Sequence, residues 1–412
     1  MFTDDDLTTL RKHGIAIFQG KVILEAQPPI TDAQLAAIEA RLTGPVPEGL
    51  RELWRTAFGG RLDYDLEASF GEHRYETSFR ELFYPESGGY RDLFEWMDHE
   101  LELGVEAAKE AGRSPPEALP VIPFGGFEYL ERFYVSVRDG EVGKIILWAQ
   151  GLPPAWKMRL NEDSVAIVAG DMRDLFSQLE LAADPFAEGA NPDLNGIQMA
   201  EAHDEVAAEH PVLAEKLREA IRAAVFDWRA VVAEGPFAGR STQLRAGRLA
   251  LSHAAEKDDV AVIEALLGAR YRVDGVVAGD ATVLALAMAR RAHRMVDALL
   301  ASGVPLGDAA IVYAEGATAA LIDKLIGHGC KFDIEAVLSV AETGDLAAAR
   351  AILERGRRSG DFGDVPGAVV TRAKQEAESA VRVAKKKMGS SLSAAEHQAR
   401  ADNLQKLAKE LG

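Results

Sequence analysis

Cysteine is almost absent from this chain, which has only Cys330 in 412 residues. A single cysteine excludes a disulfide within the chain and any zinc cluster built from cysteines, and it is untypical of secreted domains that depend on disulfides. Long apolar runs are also missing. The apolar run nearest the start, residues 15–18, is far shorter than a signal-peptide core or the about 20 residues of a membrane span. We therefore expect a cytoplasmic protein without a membrane segment.

Basic residues are few relative to acidic ones. The chain has 46 Lys and Arg against 65 Asp and Glu, a net charge of −19. Most of this excess lies in residues 1–190, which hold 18 basic and 34 acidic residues, a net charge of −16. Binding to a nucleic acid backbone needs a basic face, so we expect no direct nucleic acid ligand. A basic protein partner is compatible with this charge.

The common catalytic and cofactor-binding motifs are also missing. The chain contains no Gly-x-Gly-x-x-Gly, no Gly-x-Ser-x-Gly and no His-Glu-x-x-His. The segment from Gly14 to Gly20 has five residues between its glycines, where a phosphate-binding loop has four. His203 and His210 would share a helix face two turns apart, but Pro211 follows and no third metal ligand is evident. We predict no catalytic residues, no metal site and no cofactor.

One segment has alternating acidic side chains. Asp63, Asp65 and Glu67 would lie on one side of an extended strand, and such a row of like charges favours a cationic partner. A general acid and base pair and a calcium-binding edge are alternatives, although the Gly and Asn residues typical of a calcium loop are missing. We interpret the row as an acidic edge that is either solvated or faces a partner. Glu128 and Glu131 are further candidate partner-binding residues.

Helical and strand patterns follow one another over residues 1–190. Apolar residues at helical spacing predict two helices near the start and a closing helix, over residues 31–42, 47–58 and 172–181. Short β-branched and aromatic runs predict three strands, at residues 121–124, 133–137 and 144–148. Asp139-Gly140, between the last two runs, is a hairpin signal. The pattern predicts an α+β domain with an antiparallel sheet and flanking helices.

Two stretches of this domain carry a family pattern. The first begins at Pro28-Pro29-Ile30 and ends after the second helix at Phe58-Gly59-Gly60; the second begins at Leu119-Pro120 and includes the later strands and the closing helix. Together they resemble the SUKH superfamily over about residues 25–182. That fold is shared by many bacterial toxin-immunity proteins and by yeast Smi/Knr-type regulators of cell-wall synthesis. Glu131-Arg132 replaces a common Gly-Asp pair, and the segment from Asp63 to Pro116 is long for the family.

The second half contains an internal repeat. The matching positions are Leu251, Ala254, Ala255, Ile263, Leu266 and Leu267 in one copy, and Leu284, Ala287, Met288, Val296, Leu299 and Leu300 in the next. Two further copies follow after shortened intervals. Helical repeats about 33 residues apart pack as a solenoid. From Arg248 to about Gly356 they resemble ankyrin repeats, with little room for β-hairpin fingers in the last two copies.

These patterns divide the chain into four segments. They are an α+β domain over residues 1–190, a helical connector over 195–239, an all-α ankyrin-like solenoid over 240–360 and a charged helical tail over 367–412. Cys330 falls where ankyrin repeats have alanine, so we expect a small buried residue there. The tail has a capping box at Ser393 and Glu396, which predicts the start of a helix.

Together, the patterns favour a protein-binding function. We expect an intracellular immunity-type protein that neutralises a bacterial toxin, with the repeats as a second interaction surface. A nuclease-type toxin suits the acidic half, because a nuclease needs a cationic cleft to hold phosphates. The alternative explanation of this acidity is that it only keeps the protein soluble. The alternative is a regulatory or scaffolding protein without a toxin partner. A hydrolase is a third class, which rests only on the row of Asp63, Asp65 and Glu67.

Overall fold

The chain forms two compact units, Met1–Phe226 and Asp227–Gly412. The computed structural model describes residues 2–71, 73–152, 160, 162–188, 190, 195–273, 276–278, 281–304, 318–356, 362–385 and 393–411. The first unit combines helices with an antiparallel sheet, as the sequence predicts, and the second is largely helical.

The first unit opens with a helix, a small hairpin and two further helices. Thr3 and Asp6 begin the first helix as a capping box, in which each side chain accepts a hydrogen bond from the other residue's backbone N–H. Thr31 begins the second helix in the same way. Gln19 and Gly20 turn the hairpin with positive φ angles. The elements are α1 (Asp4–Lys12), β1 (Ala16–Phe18), β2 (Lys21–Ile23), α2 (Asp32–Glu39) and α3 (Glu48–Thr56).

A six-stranded antiparallel sheet forms the centre of the first unit, with its strands side by side in chain order. They are β3 (Gly60–Phe70), β4 (His73–Leu82), β5 (Val121–Phe127), β6 (Glu131–Ser136), β7 (Ile145–Ala149) and β8 (Ser164–Ala169). The sequence predicts β5, β6 and β7, and Asp139-Gly140 lies in the turn between the last two. The acidic row indicates extended backbone only over residues 63–67 of β3, and the sequence predicts neither the long β3–β4 hairpin as a whole nor β8.

Four more helices complete the core of the first unit. They are α4 (Leu93–Glu110), α5 (Met172–Gln178), α6 (Ile197–Glu209) and α7 (Pro211–Arg222). The last two contact each other and bury Met199, Val206, Leu217 and Ile221 in the same core as the sheet. The compact unit therefore extends past residue 190, at which the sequence pattern places the domain boundary.

The second unit consists of successive helices and one short hairpin. They are α8 (Trp228–Ala233), α9 (Ser241–Lys257), α10 (Val260–Gly268), β9 (Val276–Ala278), β10 (Ala281–Thr282), α11 (Val283–Ala289), α12 (His293–Ala301), α13 (Ala319–Gly327), α14 (Ile334–Glu342), α15 (Leu346–Gly356), α16 (Val365–Ala384) and α17 (Ala394–Leu411). Helix α9 contacts both α10 and α11, and α12 contacts both α10 and α11. Two neighbouring helix pairs thus pack side by side.

The end of the second unit is a pair of helices, α16 and α17, that contact each other and α14. Ser393 and Glu396 form the predicted capping box at the start of α17. Glu342 at the end of α14 pairs with Arg372 of α16 at 3.4 Å and with Arg400 of α17 at 3.2 Å. Cys330 is buried, and this burial raises the pKa of its thiol to about 11. In the part of the chain that the structure describes, no helix is long and apolar enough to cross a membrane.

Candidate functional site

A pocket opens in the first unit where the start of α4 meets the turn between β5 and β6. We call it the aromatic pocket, and its lining residues are Tyr90, Glu95, Trp96, His99, Tyr129 and Arg132. Its volume is about 280 Å³. Small-molecule and cofactor sites usually occupy about 300–1,000 Å³. The aromatic pocket therefore suits one inserted side chain better than a large cofactor.

Two local structures bring the aromatic rings of the pocket together. Asp92 caps α4 by accepting hydrogen bonds from two backbone N–H groups, and one turn later the Trp96 indole donates to the carbonyl of Tyr90. From the other side, the β5–β6 turn contributes Tyr129. Its ring centroid lies 5.7 Å from that of Trp96 and 6.4 Å from that of Tyr90. Tyr129 is 63% exposed, so a partner can reach it.

Arg132 of β6 forms the buried wall of the aromatic pocket. Its guanidinium lies 3.9 Å from the ring centroid of Trp96 and 4.5 Å from that of Trp148, so that it stacks on two indoles. Glu100 of α4 accepts a hydrogen bond from Arg132 at 2.9 Å and another from the Tyr134 hydroxyl at 2.7 Å. The Nε of Arg132 is buried and has no hydrogen-bond partner among the described residues. The guanidinium is thus fixed in place and keeps one donor unused.

A network of alternating charges contacts the hydroxyl of Tyr90. The buried carboxylate of Glu81 pairs with Arg91 at 3.3 Å and with Arg61 at 3.8 Å, and it accepts a hydrogen bond from the Tyr90 hydroxyl at 3.4 Å. Glu25 completes the network through Arg61 at 3.3 Å and Arg91 at 3.4 Å. Burial raises the pKa of Glu81, and the two arginines oppose this rise. The network ties β4 to the residues that precede α4.

Asp63 of the predicted acidic row has an internal partner. It is half-buried, and its carboxylate accepts a hydrogen bond from the backbone N–H of Gly196. Burial raises the pKa of Asp63, while the Gly196 N–H, Arg80 and Arg61 lower it. Arg80 and Arg61 of the chain itself therefore provide part of the positive charge that stabilises the carboxylate of Asp63.

Asp65 and Glu67 differ in exposure although they share a strand. Asp65 is buried, accepts a hydrogen bond from the Ser78 hydroxyl at 3.0 Å, and exchanges two backbone hydrogen bonds with Glu180. Glu67 is half-buried, opposite Glu76 of β4. The three carboxylates thus do not form the expected open acidic edge, because residues after α5 pair with β3 at this place. Their role in partner binding stays a prediction.

The other two predicted site residues lie on either side of Tyr129. Glu131 is buried and accepts a hydrogen bond from the Tyr75 hydroxyl at 2.5 Å. Glu128 is exposed, and its positive φ of 46° turns the chain between β5 and β6. Burial raises the pKa of Tyr90, and the charges of Glu81 and Glu128 add to this rise. Among the five predicted site residues, Glu128 is exposed and lies next to Tyr129 of the aromatic pocket.

The aromatic residues of the pocket are not among the candidate residues that the sequence indicates. Tyr90 and Trp96 lie within the long segment from Asp63 to Pro116, which the family pattern leaves unassigned. Asp92 followed by Trp96 and Met97 at helical spacing is a signal for the start of a helix. That signal does not indicate that Tyr129, which is distant in the sequence, packs against Trp96, because this contact depends on the strand order.

The part of the chain that contains the aromatic pocket matches a known protein family. Residues 29–178 match the SMI1 / KNR4 family (SUKH-1). The matched segment includes the six-stranded sheet and every residue of the aromatic pocket, and it confirms the predicted SUKH-type segment near the start of the chain. It ends before the repeats. No curated protein and no solved structure matches the chain.

Proposed function

We propose that this protein is a cytoplasmic, non-enzymatic immunity-type protein whose first unit neutralises a bacterial toxin by binding it at the aromatic pocket. The observation that carries the proposal is the exposed ring of Tyr129, held against Trp96 beside a fixed Arg132, within a segment that matches the SUKH-1 family. The residues that bind the partner are the pocket residues and Glu128.

The composition of the pocket supports a role in protein binding. Residues that contribute most to the binding energy of interfaces are enriched in Trp, Tyr and Arg, and they cluster in preformed pockets. Here Trp96 and Arg132 are buried and ordered by their neighbours, while Tyr129 is exposed. A partner that covers Tyr129 buries a large aromatic surface at little cost in side-chain entropy.

Charge around the pocket supports a basic partner. Glu95 and Glu128 are exposed beside Tyr129 and Trp96, and residues 1–190 carry a net charge of −16. Acidic groups at the rim of an interface attract a cationic protein and raise its association rate. A nuclease-type toxin is such a protein, because its active site must hold phosphates.

The second unit supports the proposal of an additional interaction surface built from ankyrin-like repeats. The first two copies of the repeat coincide with two neighbouring helix pairs, α9 with α10 and α11 with α12. Their connection contains the β9–β10 hairpin, as ankyrin fingers would require. The later connection over residues 328–333 has no strand, in line with its shorter interval. We propose that the repeats form a solenoid that binds a second protein.

Capture followed by a toxicity assay tests the proposed function. The full chain is immobilised, proteins bound from a native lysate are identified, and each is expressed alone and together with the chain. We expect one captured protein to inhibit growth alone and to be harmless with the chain. If every captured protein is harmless alone, the alternative of a regulatory or scaffolding protein replaces the proposal.

Two matched variants locate the binding surface. Tyr129→Ala removes the exposed ring of the pocket, and Val142→Ala removes an exposed apolar side chain at the opposite end of β6. Both changes lie in turns, so we expect both variants to fold. We expect Tyr129→Ala to lose capture and protection, and Val142→Ala to retain both. Equal capture by the two variants would mean that the aromatic pocket is not the contact surface.

A further inference from the structure

Three side chains able to bind a metal ion, none of which lines the aromatic pocket, meet at the surface of the first unit. They are His13, which follows α1, and Glu209 and His210, which lie between α6 and α7. One nitrogen or oxygen atom from each lies within 4.8 Å of the other two. The cluster joins segments that are far apart in the sequence, so the fold alone brings it together.

The backbone fixes the positions from which these side chains extend. Asp6 of α1 pairs with Lys216 of α7 at 2.6 Å, which holds the two helices together. The backbone N–H of His13 donates to the carbonyl of Leu10 at 3.0 Å, and that of His210 donates to the carbonyl of Val206 at 2.7 Å. Both histidines therefore belong to ordered helix ends rather than to free loops.

The side chains themselves are arranged so that an ion can enter between them. The imidazole centroids of His13 and His210 are 5.7 Å apart at an interplanar angle of 84°. The carboxylate of Glu209 lies 3.9 Å from Nε2 of His210. Ligands of a tetrahedral zinc ion at about 2.0–2.2 Å lie about 3.3–3.6 Å from one another. The ligand atoms of the cluster are within 4.8 Å of one another, somewhat farther apart than in such a zinc site. Small side-chain rotations can shorten these distances, because Glu209 and His210 are exposed.

We propose that His13, Glu209 and His210 bind one Zn²⁺ ion in an open site that joins α1 to the junction of α6 and α7. Two imidazoles and one carboxylate form a ligand set that zinc uses with water as a fourth ligand. Mg²⁺ and Ca²⁺ prefer oxygen ligands throughout. The bound ion would clamp the first helix onto the core. This proposal departs from the sequence-based expectation of no metal site.

His203, which the sequence pattern pairs with His210, has a different role. It is buried, its ring packs edge-on to Phe186 at 5.0 Å, and its Nδ1 lies 2.9 Å from the carboxylate of Asp204. The helical spacing of two turns is interrupted because α6 ends at Glu209 and Pro211 starts α7. His13, rather than His203, is therefore the histidine that lies beside His210.

Calorimetric titration of the chelator-treated full chain with Zn²⁺ tests the proposal. We expect one equivalent to bind, and His13→Ala or His210→Ala to weaken the affinity at least about tenfold, since loss of even an outer partner of a ligand costs about 10–100-fold. His328→Ala is the matched control, because His328 is an exposed histidine of the second unit. It should leave the affinity unchanged.

A second measurement guards against variants that fail to fold. Glu209→Gln keeps the shape of the side chain and should also weaken Zn²⁺ binding, while circular dichroism in chelator checks its fold. In the unaltered chain, Co²⁺ should give the visible absorption of a tetrahedral site and should be displaced by one equivalent of Zn²⁺. Absence of that absorption, or equal Zn²⁺ affinity for the chain and its His13 and His210 variants, would overturn the proposal.

Discussion

Among the residues of the aromatic pocket, Arg132 is the one whose substitution has the most clearly defined effect on the free energy of unfolding. Its guanidinium stacks between Trp96 and Trp148 and pairs with Glu100 at 2.9 Å. Arg132→Met keeps an unbranched apolar side chain of similar bulk, although a shorter one, and removes its charge. We therefore expect this variant to lose the ion pair and the cationic part of the stacking without opening a large cavity.

The magnitude follows from the burial of the pair. The side chains of Arg132 and Glu100 are 8% and 17% exposed, so solvent screens them little. Breaking a buried ion pair by removing one partner costs about 3–5 kcal/mol, because the remaining charge stays buried. Loss of the cation over two indoles adds about 0.5–1 kcal/mol for each, and the packing of the methionine offsets part of this sum. We expect Arg132→Met to lower the free energy of unfolding of the first unit by about 3–5 kcal/mol.

Urea unfolding, monitored by tryptophan fluorescence, measures this loss of unfolding free energy. Four of the five tryptophans precede residue 227, so a Trp228→Phe background confines the signal to the first unit. Adding Glu100→Gln to Arg132→Met removes the buried charge and should recover at least about 1 kcal/mol. A loss below about 1 kcal/mol for Arg132→Met, or a further loss on adding Glu100→Gln, would refute this argument.

Three further predictions concern the domain boundary, the repeats and the rim of the pocket. A fragment of residues 1–226 should melt cooperatively, whereas residues 1–190, which lack the apolar faces of α6 and α7, should aggregate; equal melting would place the boundary at 190. Leu299→Ala, at a fully buried position, should cost about 2–5 kcal/mol in urea unfolding, and a loss within about 0.5 kcal/mol would contradict the repeat register. Glu128→Lys should slow association with a basic partner and weaken its salt dependence in stopped-flow mixing, with unchanged kinetics as the contrary result.

The predictable part of the fold is the part with regular apolar spacing. Leu50, Leu53 and Trp54 predict α3 and are buried in it, and the β-branched runs predict β5 to β7. Such local patterns persist because each element buries one apolar face on a common core. The internal repeat likewise predicts two similar helix pairs, which the structure contains.

The alternation of Asp63, Asp65 and Glu67 indicates an extended strand within β3, but the pairing of this strand with β4 and with Glu180 is not predicted. Asp63 and Asp65 alternate with buried Tyr64 and Leu66, which is the strand pattern expected for an edge open to water. The structure instead pairs the backbone of Asp65 with that of Glu180. No local signal indicates this pairing, since the two residues are far apart in the sequence.

The aromatic pocket and the histidine cluster escape prediction for the same reason. Trp96 meets Tyr129 because β4 and β5 are neighbours, and His13 meets His210 because α1 lies beside α7. Each separate residue has an unremarkable setting in the sequence. Chemistry that depends on contacts between distant segments becomes visible only when the topology is known.

Site-specific photocrosslinking tests the central claim most directly, because it reports which surface of the chain touches the captured partner. A photoreactive amino acid is placed at position 129 in one sample of the full chain and at position 142 in another, and each is irradiated with the captured partner. We predict a crosslink from position 129 in the aromatic pocket and none from position 142. A crosslink from position 142 alone, or from neither position while the complex is intact, would contradict binding at the aromatic pocket.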